Sequence, residues 1–167
     1  NTINNTSRDV VLCHWALTLM DPITPVLKEV NRILSSGGKF AALVNGPMDT
    51  APGYLDVYNL IYKYVQTKLP NYGKIDLGDP RIRAKKSLEH LVGEAFPSAE
   101  VSIENNIVSM VGPVAEVSET AAGFFYASFI LPTELRMRML SDLSNLLSVS
   151  KQEGRFVMPI SRLIVKK

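Results

Sequence analysis

The 167-residue sequence is poor in the residues that make covalent or metal-bound scaffolds. Its single cysteine, Cys13, rules out an internal disulfide framework. Its two histidines, His14 and His90, lie far apart, and with one cysteine they make no set spaced for zinc, so no metal is expected. No apolar run approaches the roughly 18 residues of a membrane span, and no secretory signal pattern is present. Charge of one sign is also lacking. Lys+Arg 18 against Asp+Glu 16 gives +2, too balanced to argue for nucleic acid. There is no internal repeat and no low-complexity tract. These absences lead us to expect a protein of a reducing compartment, cytoplasmic, with neither membrane nor nucleic acid as partner. The first residue is Asn rather than Met, which reads as a chain trimmed or excised from something longer.

What is present is a globular composition, 46% hydrophobic and 20% charged, with length enough for one domain and its core. The organising stretch is Asp9–Asn45. After a polar tail over residues 1–8, Val10 to Leu12 form a continuous aliphatic run, of the kind that suits a strand covered on both faces. Asp21-Pro22 and Thr24-Pro25 are helix-start signals. Val26, Leu27, Val30, Ile33 and Leu34 then make one apolar stripe, with Lys28, Glu29, Asn31 and Arg32 opposite. Gly37-Gly38 is the expected left-handed cap, and Phe40 to Val44 the second strand. A strand, helix and strand in this order predict a parallel pair with a right-handed crossover.

Downstream, Tyr54 to Leu69 predicts a helix with the face Tyr54, Val57, Tyr58, Ile61, Tyr62, Val65 and Leu69. Its tyrosines serve either core packing or a pocket wall. A long connection over Pro70–Lys86 ends in Arg81-Ile82-Arg83-Ala84-Lys85-Lys86, four cations that suit either a solvated surface or a phosphate contact. Ser87 is the expected cap of a helix carrying Leu88, Leu91, Val92, Ala95 and Phe96. A strand follows through Val101, Ile103, Ile107 and Met110, with Asn105-Asn106 as an expected bulge or turn. Helices over Val114–Tyr126 and Thr133–Val149, the latter with Leu135, Met139, Leu143, Leu146 and Leu147 as its stripe, precede a last strand, Arg155–Lys166, in which Pro159 marks an edge or bulge.

The Asp9–Asn45 unit resembles the second half of a class I S-adenosylmethionine-dependent methyltransferase. The resemblance rests on Asp9-Val10-Val11 opening a strand, the tract Leu12 to Met20, and the spacing Leu27, Glu29, Arg32, Ile33, Leu34, Gly37, Gly38 before Phe40. Glu94-Ala95-Phe96-Pro97 before a strand and the ending Arg162 to Lys167 resemble the family's closing elements. The resemblance implies an α/β fold, a partial Rossmann-like methyltransferase sheet of strands 4-5-7-6 in the family order 3-2-1-4-5-7-6, the last strand antiparallel, with added helices. It implies one C-terminal methyltransferase-like domain over residues 1–167, with an inserted helix and loop at 50–86 and a helical insertion at 113–150. It also marks an absence. The glycine-rich turn that holds the cofactor in such enzymes, G-x-G-x-G, does not occur here.

Ligands of open α/β sheets lie beyond the carboxyl ends of the strands. The resemblance accordingly implies Cys13, His14 and Trp15 on the cofactor side, near the methyl group, with S-adenosylmethionine as cofactor of the full-length protein. Asn45, Tyr54, Tyr58 and Tyr62 are expected on the side of a small-molecule substrate. His14 is the candidate general base for a substrate hydroxyl or amine, or else simply lines the pocket. Cys13 has no paired base to make it a nucleophile. His90 reads as structural or exposed. The leading expectation is the C-terminal part of a methyltransferase, inactive in isolation. The alternative is a non-catalytic interaction or dimerisation module, and a weaker third is a nucleotide-binding α/β domain of another class. A first strand without the neighbour that the family gives it leaves Val10 to Leu12 as an open edge, for which a homodimer or other self-association is expected.

Overall fold

A computed structural model describes residues 3–73 and 78–167. Residues 74–77 of the expected long connection lie outside the described residues. The chain runs β1 (Arg8–His14), α1 (Ile23–Ile33), β2 (Leu34–Asn45), α2 (Tyr54–Gln66), α3 (Lys85–Ala95), β3 (Glu100–Pro113), α4 (Val114–Phe124), α5 (Ala127–Ile130), α6 (Thr133–Leu147) and β4 (Glu153–Lys166). Short 3-10 turns occupy Ala16–Leu19, Met48–Thr50 and Pro80–Arg83.

The four strands form one sheet in the order β1-β2-β4-β3. β1 and β2 are parallel, as a helical crossover requires, while β4 runs antiparallel to β2 from Lys39 opposite Lys166 to Asn45 opposite Ile160. Side-chain pairs between β3 and β4 descend in opposite directions, Glu100 with Lys166, Glu104 with Arg162, Asn105 with Ser161, so this pair is antiparallel too. This is the expected order 4-5-7-6 with its last strand reversed.

The chain divides into two compact units: Asn1–Pro47 with Asp76–Asn106 and Ile160–Lys167, and Met48–Ile75 with Ile107–Pro159. In the first unit, α1 and α3 bury Leu27, Leu88, Leu91 and Val92 against Phe40, Val44, Leu163 and Val165 of the sheet. Each such side chain contributes roughly 1.5–3 kcal/mol by leaving water. β1 departs from expectation. Val11 and Cys13 pack on this core, but Val10 and Leu12, on the other face, are 57% and 75% exposed.

α1 also ends differently. It stops at Ile33 and passes straight into β2, so Gly37-Gly38 is not its cap. The carbonyls at the helix end find partners elsewhere. Arg32 and Ile33 accept from the backbone N–H groups of Thr6 and Ser7, and the Lys167 ammonium donates to the carbonyls of Asn31 and Leu34. A cation there also suits the negative end of the helix dipole. Gly37, at φ +78°, instead serves the irregular stretch of β2 between the pairs Leu34–Arg8 and Lys39–Val10.

The second unit packs α2, α4 and α6 around Val57, Ile61, Val65, Val117, Ala121, Met139 and Leu143. Leu69 and Leu146, both expected on buried stripes, are exposed. α2 ends at Gln66, and the α6 stripe is Met139, Leu143, Leu147 at four-residue spacing. Two further expectations are corrected, at Ser87 and at Asn105-Asn106, while Pro159 lies at the edge of the β2–β4 ladder as expected. Ala84, not Ser87, precedes α3, and no side chain caps it. β3 runs unbroken through Asn105-Asn106, whose Asn105 Oδ1 accepts from Ser161 Oγ at 2.8 Å. Pro159 lies one residue past the last β2–β4 pair, Asn45–Ile160, where a missing N–H forfeits no bond to β2.

Candidate functional site

β1 and β2 end side by side at His14 and Asn45, and the turn that follows β1 is tightly held. Trp15 adopts φ +58°, a left-handed conformation that costs a non-glycine residue about 1–2 kcal/mol. Three hydrogen bonds fix it. Its backbone N–H donates to Leu43 O at 3.0 Å, its carbonyl accepts from Thr18 Oγ1 at 2.6 Å, and its indole Nε1–H donates to Asn45 Oδ1 at 2.6 Å. The His14 ring stands edge-on to the indole, with centroids 4.7 Å apart. His14 is exposed, and among the described residues its ring nitrogens make no hydrogen bond, so both remain open to a ligand. Cys13 points the other way, half-buried against the first unit's core. The structure therefore brings His14, Trp15 and Asn45 into one cluster with Cys13 behind it. Thr18 belongs to the same cluster. It was invisible in the sequence because a threonine three residues past a tryptophan carries no signal until the backbone turns back.

The end of α1 that faces this turn has a carboxylate beside it. Asp79, 3% exposed, lies near the Ile23 backbone N–H at the first residue of α1 and accepts from Arg81 Nε at 2.9 Å and Nη2 at 2.5 Å. The Arg81 guanidinium is the main reason that the Asp79 carboxyl falls to about 2, with the backbone N–H groups of Arg81 and Ile23 acting in the same direction against burial. Asp79 N–H also donates to Met20 O, tying the connection to the start of α1. Arg81 is thus engaged, and Lys85 lies 3.8 Å from Glu89 on α3. Arg81 and Lys85 of the basic run hold intramolecular partners rather than an open phosphate site. His90 is exposed on α3, 3.5 Å from Glu94.

Tyr54, Tyr58 and Tyr62 belong to the second unit and gather there. Tyr58 and Tyr62 stack with centroids 3.9 Å apart, and Phe125 meets both rings edge-on. Tyr54 is buried against Phe125 and Phe156. Tyr72, unsuspected in the sequence, leans on Tyr62 and donates its hydroxyl to Phe125 O. Burial pushes the Tyr54 phenol up to about 12 and also raises Tyr62, with the neighbouring Tyr58 acting in the same direction. Tyr54 and Tyr62 therefore stay protonated at physiological pH. Tyr58 and Tyr62 line an open groove of about 480 Å³ with Asn59, Lys63, Gln66 and Gly73.

No protein-family description and no curated protein matches this sequence. Solved structures do. Bacillus subtilis YcgJ overlays with a TM-score of 0.52 at 10% identity, covering 98% of this chain and 65% of that one. A proposed methyltransferase from Bacillus halodurans overlays with a TM-score of 0.52 at 14% identity, covering 98% of this chain and 66% of that one. The sheet order and the reversed β4 decide the comparison. This chain has the class I methyltransferase fold. It spans about two thirds of the length of these two structures. Among the described residues, no helix is long and apolar enough to cross a membrane, and no cluster of three or more His, Cys, Asp or Glu could hold a metal.

Proposed function

We propose that this chain is part of an S-adenosylmethionine-dependent methyltransferase acting on a small organic molecule. The observation that carries the reading is the parallel β1–β2 pair flanked by an antiparallel β4, which sets His14, Trp15 and Asn45 at the strand ends where ligands of such sheets lie. Bound there, S-adenosylmethionine would supply an electrophilic methyl group on a sulfonium.

The residues present fit one side of such a cofactor and not the whole. The edge-on His14–Trp15 pair offers an aromatic surface to a sulfonium cation. No glycine-rich turn occurs in the sequence, and the Asp79 carboxylate lies near the N-terminus of the first helix. The stacked aromatic rings of Tyr58 and Tyr62, in the second unit, favour an organic substrate over nucleic acid. On this reading the cofactor's cradle comes from outside these 167 residues, and the 167-residue chain by itself is inactive. His14, with both ring nitrogens unengaged, is the group placed to take a proton from a substrate hydroxyl or amine; aligning an already nucleophilic substrate would suffice without it.

A second reading is favoured by one observation. Leu12 is 75% exposed on the open side of β1, which suits a non-catalytic module that associates through this edge. Transfer of a tritiated methyl from S-adenosylmethionine to a pool of small molecules by the natural full-length protein separates the two. Transfer that falls at least tenfold in Trp15→Ala supports the enzyme. No cofactor binding and no transfer at a large excess of S-adenosylmethionine sinks it.

A further inference from the structure

We propose that the outer edge of β3 is an interface between two copies of this chain, in which the Ile107–Val111 strands pair antiparallel across a two-fold axis at Ser109. β3 ends the sheet order, with β4 as its one strand neighbour among the described residues. Among the described residues, no strand pairs with the backbone N–H and C=O groups of its other edge. Strand edges are ordinarily guarded by charge, a bulge, a proline or brevity. β1, at the opposite end, has Arg8, Asp9 and His14 within seven residues. β3 is fourteen residues long, and from Asn105 to Gly112 it has no charged residue, no proline and no break in the strand. Ile107, Val108 and Val111 are 51%, 47% and 54% exposed, so apolar groups face water on both sides of an open edge.

A second copy is the occupant that the residue order itself favours. Pairing about Ser109 sets Ile107 opposite Val111 and Val108 opposite Met110, so four of the five opposed pairs are apolar and the fifth is serine with serine. Glu100 and Glu104, which would repel their counterparts, lie toward one end, outside the overlap, and are already engaged by Lys166 and Arg162 of β4. The strand is thus self-complementary in shape, polarity and charge, and a two-fold axis satisfies both edges at once. A single strand pair buries less than the ~1,200 Å² of a standard stable interface, so the association is expected in the micromolar range or weaker. This inference is independent of the methyltransferase reading.

Sedimentation of the purified protein over a hundredfold concentration range tests it, together with two variants. Ser109→Lys sets like charges against each other on the axis and should weaken the dimer at least tenfold, with circular dichroism confirming the fold. Ser109→Cys should form an intermolecular disulfide under mild oxidation, mapped by peptide mass as a link between the two introduced thiols, whereas Asn106→Cys, displaced along the strand from its own counterpart, should not. Three results overturn the proposal: a monomer at the highest concentration, a dimer insensitive to Ser109→Lys that gives no cross-link, or a dimer broken instead by Leu12→Lys on β1.

Discussion

Replacing Asp79 by asparagine removes the charge that ties the connection before α3 to the first turn of α1. The carboxyl is 3% exposed, and its Arg81 partner is about half exposed, with 52% of its side chain open to water. Its proton affinity falls from the ordinary 3.8 to about 2. At about 1.4 kcal/mol for each tenfold change, that difference caps the contribution near 2.5 kcal/mol. Solvent screening on the Arg81 side reduces it to about 1.5 kcal/mol. A lowered carboxyl in the folded state stabilises the fold fully above 3.8 and loses that contribution as the pH falls through about 2. Asp79→Asn should therefore cost about 1.5 kcal/mol at pH 7, about half as much at pH 3, and little below pH 2. Urea titration followed by the emission of Trp15, the chain's one tryptophan and a neighbour of the same unit, reads this directly. A cost that is the same at pH 7 and pH 3, or no cost at pH 7, would refute the charge-clamp reasoning.

Other substitutions divide by what surrounds the altered atom. A Cβ on Gly46 would stand 2.8 Å from Ile160 N, so Gly46→Ala should lower stability by about 1–3 kcal/mol in urea unfolding. Gly93 on α3 has open space around it, and Gly93→Ala should raise stability by about 0.4–1 kcal/mol in the same assay. Met139, fully buried in the second unit, should cost about 2–5 kcal/mol as Met139→Ala, read by circular dichroism. Asn45→Leu removes the acceptor of the indole N–H and should shift and broaden Trp15 emission, whereas Asn45→Asp, which keeps an oxygen acceptor, should restore it.

Much of the fold was legible because it is written in local periodicity. The β1-α1-β2 unit, the tyrosine stripe of α2 and the four-residue spacing on α6 each follow from short windows. What failed was whatever depended on partners distant in the chain. Gly37-Gly38 read as a helix cap because its sequence neighbours alone could not reveal that Thr6, Ser7 and Lys167 satisfy the end of α1. The carboxylate near the other end of α1 is Asp79, more than fifty residues onward, where an Asp-Pro pair reads only as a turn. The site followed the same division. His14 and Asn45 were placed by the rule that ligands lie at strand ends, while Thr18, Tyr72 and Phe125 joined their clusters only through tertiary packing. The exposed face of β1 was misread because an unbroken aliphatic run does not say how many layers cover it.

The most direct test of the central reading is a titration of S-adenosylmethionine followed by Trp15 emission and calorimetry together, in the 167-residue chain and in the natural full-length protein. The account predicts no saturable binding by the 167 residues alone, and micromolar binding by the full-length protein that changes Trp15 emission in step with the heat. Tight binding by the 167 residues alone, or full-length binding that leaves Trp15 emission unmoved, would contradict it.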